Sequence, residues 1–266
     1  MLDKKQRYLQ IALNSSPDEA RNIISQIPLD RRIIIEVGTP LIKEYGVRGI
    51  REIRNFWEQR IFGTSVSNVE LNNTPWWLNL LTPVGKSFPI RRNEALKKDP
   101  SMQNKEGFIP YIIADLKCMD RGIREVEIAK RGGANAATAL GSAPIETLNS
   151  FIEKCEEYGI DSMIDMMNVD FPLNVLRKLK NIPQVVILHR GVDEEYLNSE
   201  KEIPFHEIQR IKSNYDIMIA VAGGDTFQEV QRAIFNDADI VVVWKSFYSS
   251  TGNTAKLAEE FLREIR

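Results

Sequence analysis

The feature that most constrains the fold is an alternation along the chain: short apolar, β-branched runs, each followed by a segment with helical periodicity. Eight such runs stand out: Tyr8–Leu13, Arg32–Val37, Tyr111–Leu116, Asn135–Leu140, Ser162–Met167, Gln184–Leu188, Ile217–Val221 and Ile240–Trp244. Runs such as IIIEV and DIVVVW are apolar at successive positions, the pattern of parallel strands covered on both faces. Turn and cap residues precede the helical segments, as in Ser16-Pro17-Asp18, Thr39-Pro40, Ser142-Ala143-Pro144 and Asp225-Thr226. Eight βα units in 266 residues predict an α/β fold, one closed (β/α)8 TIM barrel domain over 1–266. A doubly wound open sheet is the alternative. It expects a Gly-rich nucleotide turn after the first strand, and LQIALNSSPDEA has none.

The spacing breaks once, at an insert of about fifty residues (61–110) before the third strand. It holds Pro75-Trp76-Trp77, Pro83-Val84-Gly85 and Arg91-Arg92. Because it precedes a strand, it emerges at the bottom of the barrel, away from the face that carries barrel chemistry. The paired tryptophans fit a subunit or partner contact, a small satellite core or a substrate lid, and the contact is expected ahead of the lid.

Composition removes several function classes. Thirty-five Lys and Arg against thirty-seven Asp and Glu give a net charge of −2, so no global field recruits nucleic acid or an anionic membrane. Two cysteines, Cys118 and Cys155, form no disulfide framework or zinc-finger spacing, and an intracellular, cytoplasmic protein is expected. The first residues, MLDKKQRYLQIALN, fit neither a secretion signal nor a lipidation motif, and no run approaches the ~18 apolar residues of a membrane span. With only His189 and His206 present, a multi-His zinc site is disfavoured, and a hard cation held by carboxylate oxygens is the more plausible metal.

Barrel chemistry sits at the C-terminal ends of strands, so the polar residues there are the candidates. They are Asn14 after the first run, Glu36 in the second, Asp115, Lys117 and Asp120 in ADLKCMD, Asp165 in MIDMMNV, and His189-Arg190-Gly191 after the sixth. Each alone has a bland explanation, a helix cap or a hydrogen-bonded core residue. Together they are costly to bury unless they pair or bind a metal. Alternate residues on a strand point the same way, so Asp115 and Lys117 are expected to face the mouth together. Such an array places a cation where charge develops on a substrate oxygen. Gly223-Gly224 after the seventh run, and Lys245-Ser246 with Ser249-Ser250-Thr251-Gly252 after the eighth, suit a phosphate. The glycine pair equally suits a tight βα turn.

Several stretches resemble the orotidine-monophosphate decarboxylase suprafamily, and within it 3-hexulose-6-phosphate synthase and 3-keto-L-gulonate-6-phosphate decarboxylase. They are LQIALN, IIEVGTPLIKEYG, ADLKCMDRG, MIDMMNV, LHRGVDEE and IAVAGGDT, in family order from residue 8 to about 252. The resemblance implies a homodimeric barrel with shared active sites, working on a phosphorylated sugar with Mg2+ held by Glu36 and Asp115. It further implies that Lys117 stabilises an enediolate, that Asp120 reaches toward the neighbouring subunit's site, and that His189 handles protons. Asn14, Asp165, Arg190, Gly223, Gly224, Lys245 and Ser246 complete the expected substrate contacts. His189-Arg190-Gly191-Val192-Asp193 resembles the synthase form, since the decarboxylase form carries Arg where Val192 stands. Asn14 replaces the family's Asp, and Trp244-Lys245-Ser246 replaces its Gly-Gly or Gly-Arg phosphate turn.

Three readings follow. The first is a Mg2+-dependent aldehyde-lyase that condenses formaldehyde with ribulose 5-phosphate. The second is a decarboxylase of a 3-keto sugar-acid phosphate, or a related enzyme with a different phosphorylated substrate. The third is a non-catalytic barrel that binds a protein partner through the insert.

Overall fold

A computed structural model describes residues 1–63, 108–198, 200–249 and 253–266. The strands are β1 (Tyr8–Leu13), β2 (Ile33–Val37), β3 (Ile112–Cys118), β4 (Ala136–Leu140), β5 (Asp161–Asp165), β6 (Val185–His189), β7 (Met218–Ala222) and β8 (Ile240–Val243). The helices are α1 (Pro17–Gln26), α2 (Thr39–Phe62), α3 (Gly122–Gly132), α4 (Ile145–Tyr158), α5 (Pro172–Leu176), α6 (Val192–Leu197), α7 (His206–Lys212), α8 (Phe227–Phe235), α9 (Lys245–Ser249) and α10 (Thr254–Glu264). Every strand pairs in parallel with its neighbour in sequence, and β1 closes the barrel against β8, with Leu9 opposite both Ile33 and Val241. Residues 64–107 lie between α2 and β3. Trp76-Trp77, Pro83-Val84-Gly85, Arg91-Arg92 and Ser250-Thr251-Gly252 thus fall outside the described residues.

Strand alternation sorts the core into two shells. Leu9, Ile11 and Leu13, with Ile33, Ile35 and Val37, face the helices and pack with Ile50, Ile53, Trp57 and Phe151. Tyr8 and Ala12, with Ile34, Tyr111, Ile113, Met163, Val185, Ile187, Met218 and Ile240, fill the barrel interior. Full burial stabilises each large apolar side chain by roughly 1.5–3 kcal/mol, so the phase of this alternation is strongly held. Continued along the strands, the inward phase falls on Gln10, Glu36, Asp115, Thr138, Asp165 and His189. The same alternation that seals the lower barrel delivers polar groups at the top.

Strand ends depart from the apolar runs for local reasons. β5 stops at Asp165 because its Oδ1 accepts the Met167 amide at 2.9 Å, turning the chain out of the sheet. β8 stops at Val243 because the Trp244 amide donates to Asp225 Oδ1 at 3.0 Å. β3 runs on to Cys118 through a register shift after Ala114, where Lys117 takes a left-handed φ of 45°. Thr226 caps α8 in a capping box with Glu229, and Asp225 is free for another role. Among the described residues no helix is long and apolar enough to cross a membrane.

Candidate active site

The C-terminal mouth encloses a cavity of about 270 Å³, lined by Gln10, Asn14, Glu36, Thr39, Asp115, Lys117, Asp165, His189, Arg190, Gly223, Gly224, Trp244 and Lys245. At its floor the Lys117 ammonium bridges two buried carboxylates, 3.1 Å from Asp115 Oδ2 and 2.9 Å from Asp165 Oδ2. Asp165 Oδ2 also meets His189 Nδ1 at 2.8 Å. Asp115 is fixed from both sides: Thr39 Oγ1 donates to Oδ2 at 2.8 Å and Thr138 Oγ1 to Oδ1 at 2.7 Å. Thr138 Oγ1 also accepts the Lys117 amide at 3.1 Å, which secures the bulged backbone that aims the lysine inward. Glu36 accepts from Gln10 Nε2, and Gln10 Oε1 is buried without a partner.

Electrostatics follow from this packing. Burial disfavours the charged form of Lys117, but Asp115, Asp165 and Glu36 outweigh it and hold the ammonium well above its ordinary value. Burial likewise pushes Asp165 up, yet His189 and Lys117 together hold it far below the usual carboxylate range. The His189 ring is pushed down by burial and raised on balance by Asp165. Glu36 differs: burial first, then the Asp115 charge, pushes it up to about 7, with Lys117 and Gln10 only partly opposing. Two neighbouring buried carboxylates and an orphaned amide oxygen form an all-oxygen donor set. That chemistry suits a hard divalent cation, which is often held by one or two carboxylates with the remaining positions open. Among the described residues no three His, Cys, Asp or Glu side chains converge on one point, so Gln10 is needed to extend the set beyond Glu36 and Asp115.

The other expected residues have varied placements. Asn14 lines the mouth; its amide donates to the Tyr248 hydroxyl at 3.0 Å, and its carboxamide packs on Gly38. Arg190 lines the mouth but spends its guanidinium on Gly223 O at 2.7 Å and Glu229 at 3.1 Å. Gly223 has φ 88°, and a Cβ there would collide with the Arg190 carbonyl, so this glycine is required by the turn. The Ser246 amide and hydroxyl both go to Asp225, whose carboxylate also takes the Trp244 amide. The backbone donors of Trp244 and Ser246 after β8 are therefore occupied by a side chain of the protein itself. Asp120 is exposed beyond β3, where it borders a separate open depression with Arg124 and Glu146 on α3 and α4. Left-handed Lys117 and Arg121 carry the chain outward at that point. Sequence reasoning passed over Gln10, Thr39, Thr138 and Glu195. Gln10 in YLQIAL and Thr138 in AATAL interrupt apolar strand runs, the signal that marks them; Thr39 lies in the Thr39-Pro40 helix start, which hides it.

Fold and site together define a closed parallel barrel with an ammonium held between buried carboxylates at its C-terminal mouth. Residues 103–261 match the Orotidine 5'-phosphate decarboxylase / HUMPS family, and the chain belongs to that family. It is 32% identical over 244 residues to the bifunctional enzyme Fae/Hps of Methanocella arvoryzae, covering 90% of this chain and 48% of that protein. To the same-named enzyme of Methanosphaera stadtmanae it is 32% identical over 264 residues, covering 97% and 52%. The chain thus spans about half the length of the curated relatives it matches. The fold is shared with 3-hexulose-6-phosphate synthase from Salmonella typhimurium at TM-score 0.70 and 22% identity, over 97% of this chain and 100% of that one. It is also shared with 3-keto-L-gulonate-6-phosphate decarboxylase from Vibrio cholerae at TM-score 0.65 and 14% identity, over 98% and 97%.

Proposed function

We propose that the chain is a Mg2+-dependent aldehyde-lyase of the 3-hexulose-6-phosphate synthase type, joining formaldehyde to ribulose 5-phosphate through an enediolate. The observation that carries this reading is Lys117, kept protonated between Asp115 and Asp165 and sharing Asp165 Oδ2 with His189. The synthase-like Val192 and the similarity to enzymes named Fae/Hps support the choice of substrate. Glu36, Asp115 and Gln10 would hold the cation, which when bound would polarise two adjacent substrate oxygens.

Asp165 engages His189 at Nδ1 and leaves Nε2 to take the proton from the carbon next to the ketone. The Lys117 ammonium stabilises the negative charge left on the oxygens without needing to reorient, because Asp115 and Asp165 already fix it. The enediolate carbon then bonds to formaldehyde carbon, and the resulting alkoxide takes the proton back from His189. Lys245 meets the terminal phosphate, since Asp225 occupies the amides of Trp244 and Ser246. In a homodimer with shared sites, the exposed Asp120 would serve the mouth of the partner copy.

Purified chain supplied with ribulose 5-phosphate, formaldehyde and Mg2+ should form hexulose 6-phosphate, and Lys117→Met should lower kcat roughly 10²–10³-fold. No such product, with CO2 released from 3-keto-L-gulonate 6-phosphate instead, assigns the decarboxylase. The rebuilt turn at Trp244-Lys245-Ser246 favours, as a second reading, a related enzyme with another phosphorylated substrate.

A further inference from the structure

At the mouth, the cation proposed to meet the phosphate is already paired with a carboxylate that the proposed chemistry does not use. Lys245 Nζ lies 2.6 Å from Glu195 Oε2 and 4.5 Å above the Tyr196 ring, with the Trp244 ring at 5.9 Å. Both Glu195 and Lys245 line the cavity that holds Lys117 and His189. Glu195 and Tyr196 belong to α6, a six-residue helix that buries none of its side chains. Tyr196 and Leu197 are exposed, so α6 has no apolar anchor of its own. Its ties are Glu194, which accepts the Gly191 amide at 2.8 Å and meets Lys201 at 3.5 Å, and the Glu195 contact to Lys245.

Other cations and donors at this end of the mouth are committed more deeply. Arg190 is held by a backbone carbonyl and Glu229, and the amides of Trp244 and Ser246 by the half-buried Asp225 carboxylate. Lys245 is a cavity-lining cation whose partner sits on an element that buries none of its side chains. A carboxylate on an ammonium satisfies the same charge and donor geometry as a phosphate oxygen. Since the pair is one quarter to one third exposed, breaking it costs far less than breaking the buried Lys117 pairs.

Building on the reading of Lys245 as the phosphate ligand, we propose that Glu195 is a displaceable placeholder for the substrate's terminal phosphate. It keeps Lys245 paired in the free protein and sets the affinity for phosphorylated over unphosphorylated sugar. A tethered carboxylate competes at high effective concentration, so every ligand that uses Lys245 binds more weakly by the factor needed to displace it. The phosphate oxygens take over the ammonium, and Glu195 turns out to solvent with α6.

The test is a four-member cycle of wild type, Glu195→Gln, Lys245→Met and the double variant. Each is titrated by calorimetry with ribulose 5-phosphate and Mg2+ in the absence of formaldehyde, and with ribulose as the unphosphorylated control. Glu195→Gln should tighten ribulose 5-phosphate roughly three- to tenfold and leave ribulose unchanged. Lys245→Met should weaken ribulose 5-phosphate and erase the gain from Glu195→Gln. Both sites are partly exposed, and Glu195→Ala gives a second route to the same removal of charge. Unchanged or weaker binding in Glu195→Gln and Glu195→Ala, a gain that persists without Lys245, or no binding by any member overturns the proposal. Hexulose 6-phosphate formation is measured on the same samples. A gain in binding without that product leaves the placeholder standing and removes the synthase reading.

Discussion

Asp165→Asn probes the centre of the site without changing its shape. The Asp165 side chain is 1% exposed and all its bonding is internal: Lys117 and His189 on Oδ2, and the Met167 amide on Oδ1. Removing the charge leaves the half-buried Lys117 ammonium with Asp115 as its one ion-pair contact and removes the partner that raises His189. Breaking a buried pair of this kind costs about 3–5 kcal/mol. For a domain of this size that is a fall in Tm of roughly 6–20 °C. The pH dependence gives a sharper signature. Asp165 is depressed from its ordinary 3.8, so its contribution is present above that value and lost as pH falls. His189 is raised from its ordinary 6.5, so its contribution is full below that value and lost as pH rises through the folded pKa. The stability difference between wild type and Asp165→Asn should therefore be largest between about pH 4 and 6.5 and shrink on both sides. Urea unfolding at pH 5 and pH 8.5 measures it. Nitrogen NMR of the two histidines supplies an internal reference, because exposed His206 lies outside the network while the His189 midpoint should drop. A difference below about 1 kcal/mol at pH 5, or an unmoved His189 midpoint, would refute the coupling of Asp165 to Lys117 and His189.

Mg2+ at one hundred times its Kd should stabilise the wild type by about 2.7 kcal/mol in thermal unfolding, and Glu36→Gln should remove most of that shift; an equal shift in both would separate Glu36 from the metal. Thr138→Val deletes the hydroxyl that joins Asp115 Oδ1 to the Lys117 amide, and should cost about 1–3 kcal/mol with a lower kcat, read by urea midpoint and turnover. Gly223→Ala forces a Cβ onto the Arg190 carbonyl at φ 88° and should destabilise by more than about 1 kcal/mol, whereas a neutral result would mean that the turn relaxes freely.

The sequence by itself determined the barrel and most of its polar mouth. Eight runs buried on both faces leave little choice but a closed parallel sheet, and two-residue periodicity places Glu36, Asp115 and Asp165 on the inward side. Placing Asp115 and Lys117 together was legible from their spacing, although the structure achieves it through a bulge that spacing does not reveal. Only the tertiary structure decided which charges meet. Lys117 joins Asp165 across 48 positions, Lys245 joins Glu195 across 50, and Asp225 takes the amides of Trp244 and Ser246 from the next strand end. Those pairings depend on barrel closure, which sets strand ends side by side whatever their separation along the chain. Alternation along a strand fixes which way a side chain points, but only packing around the ring fixes what it points at.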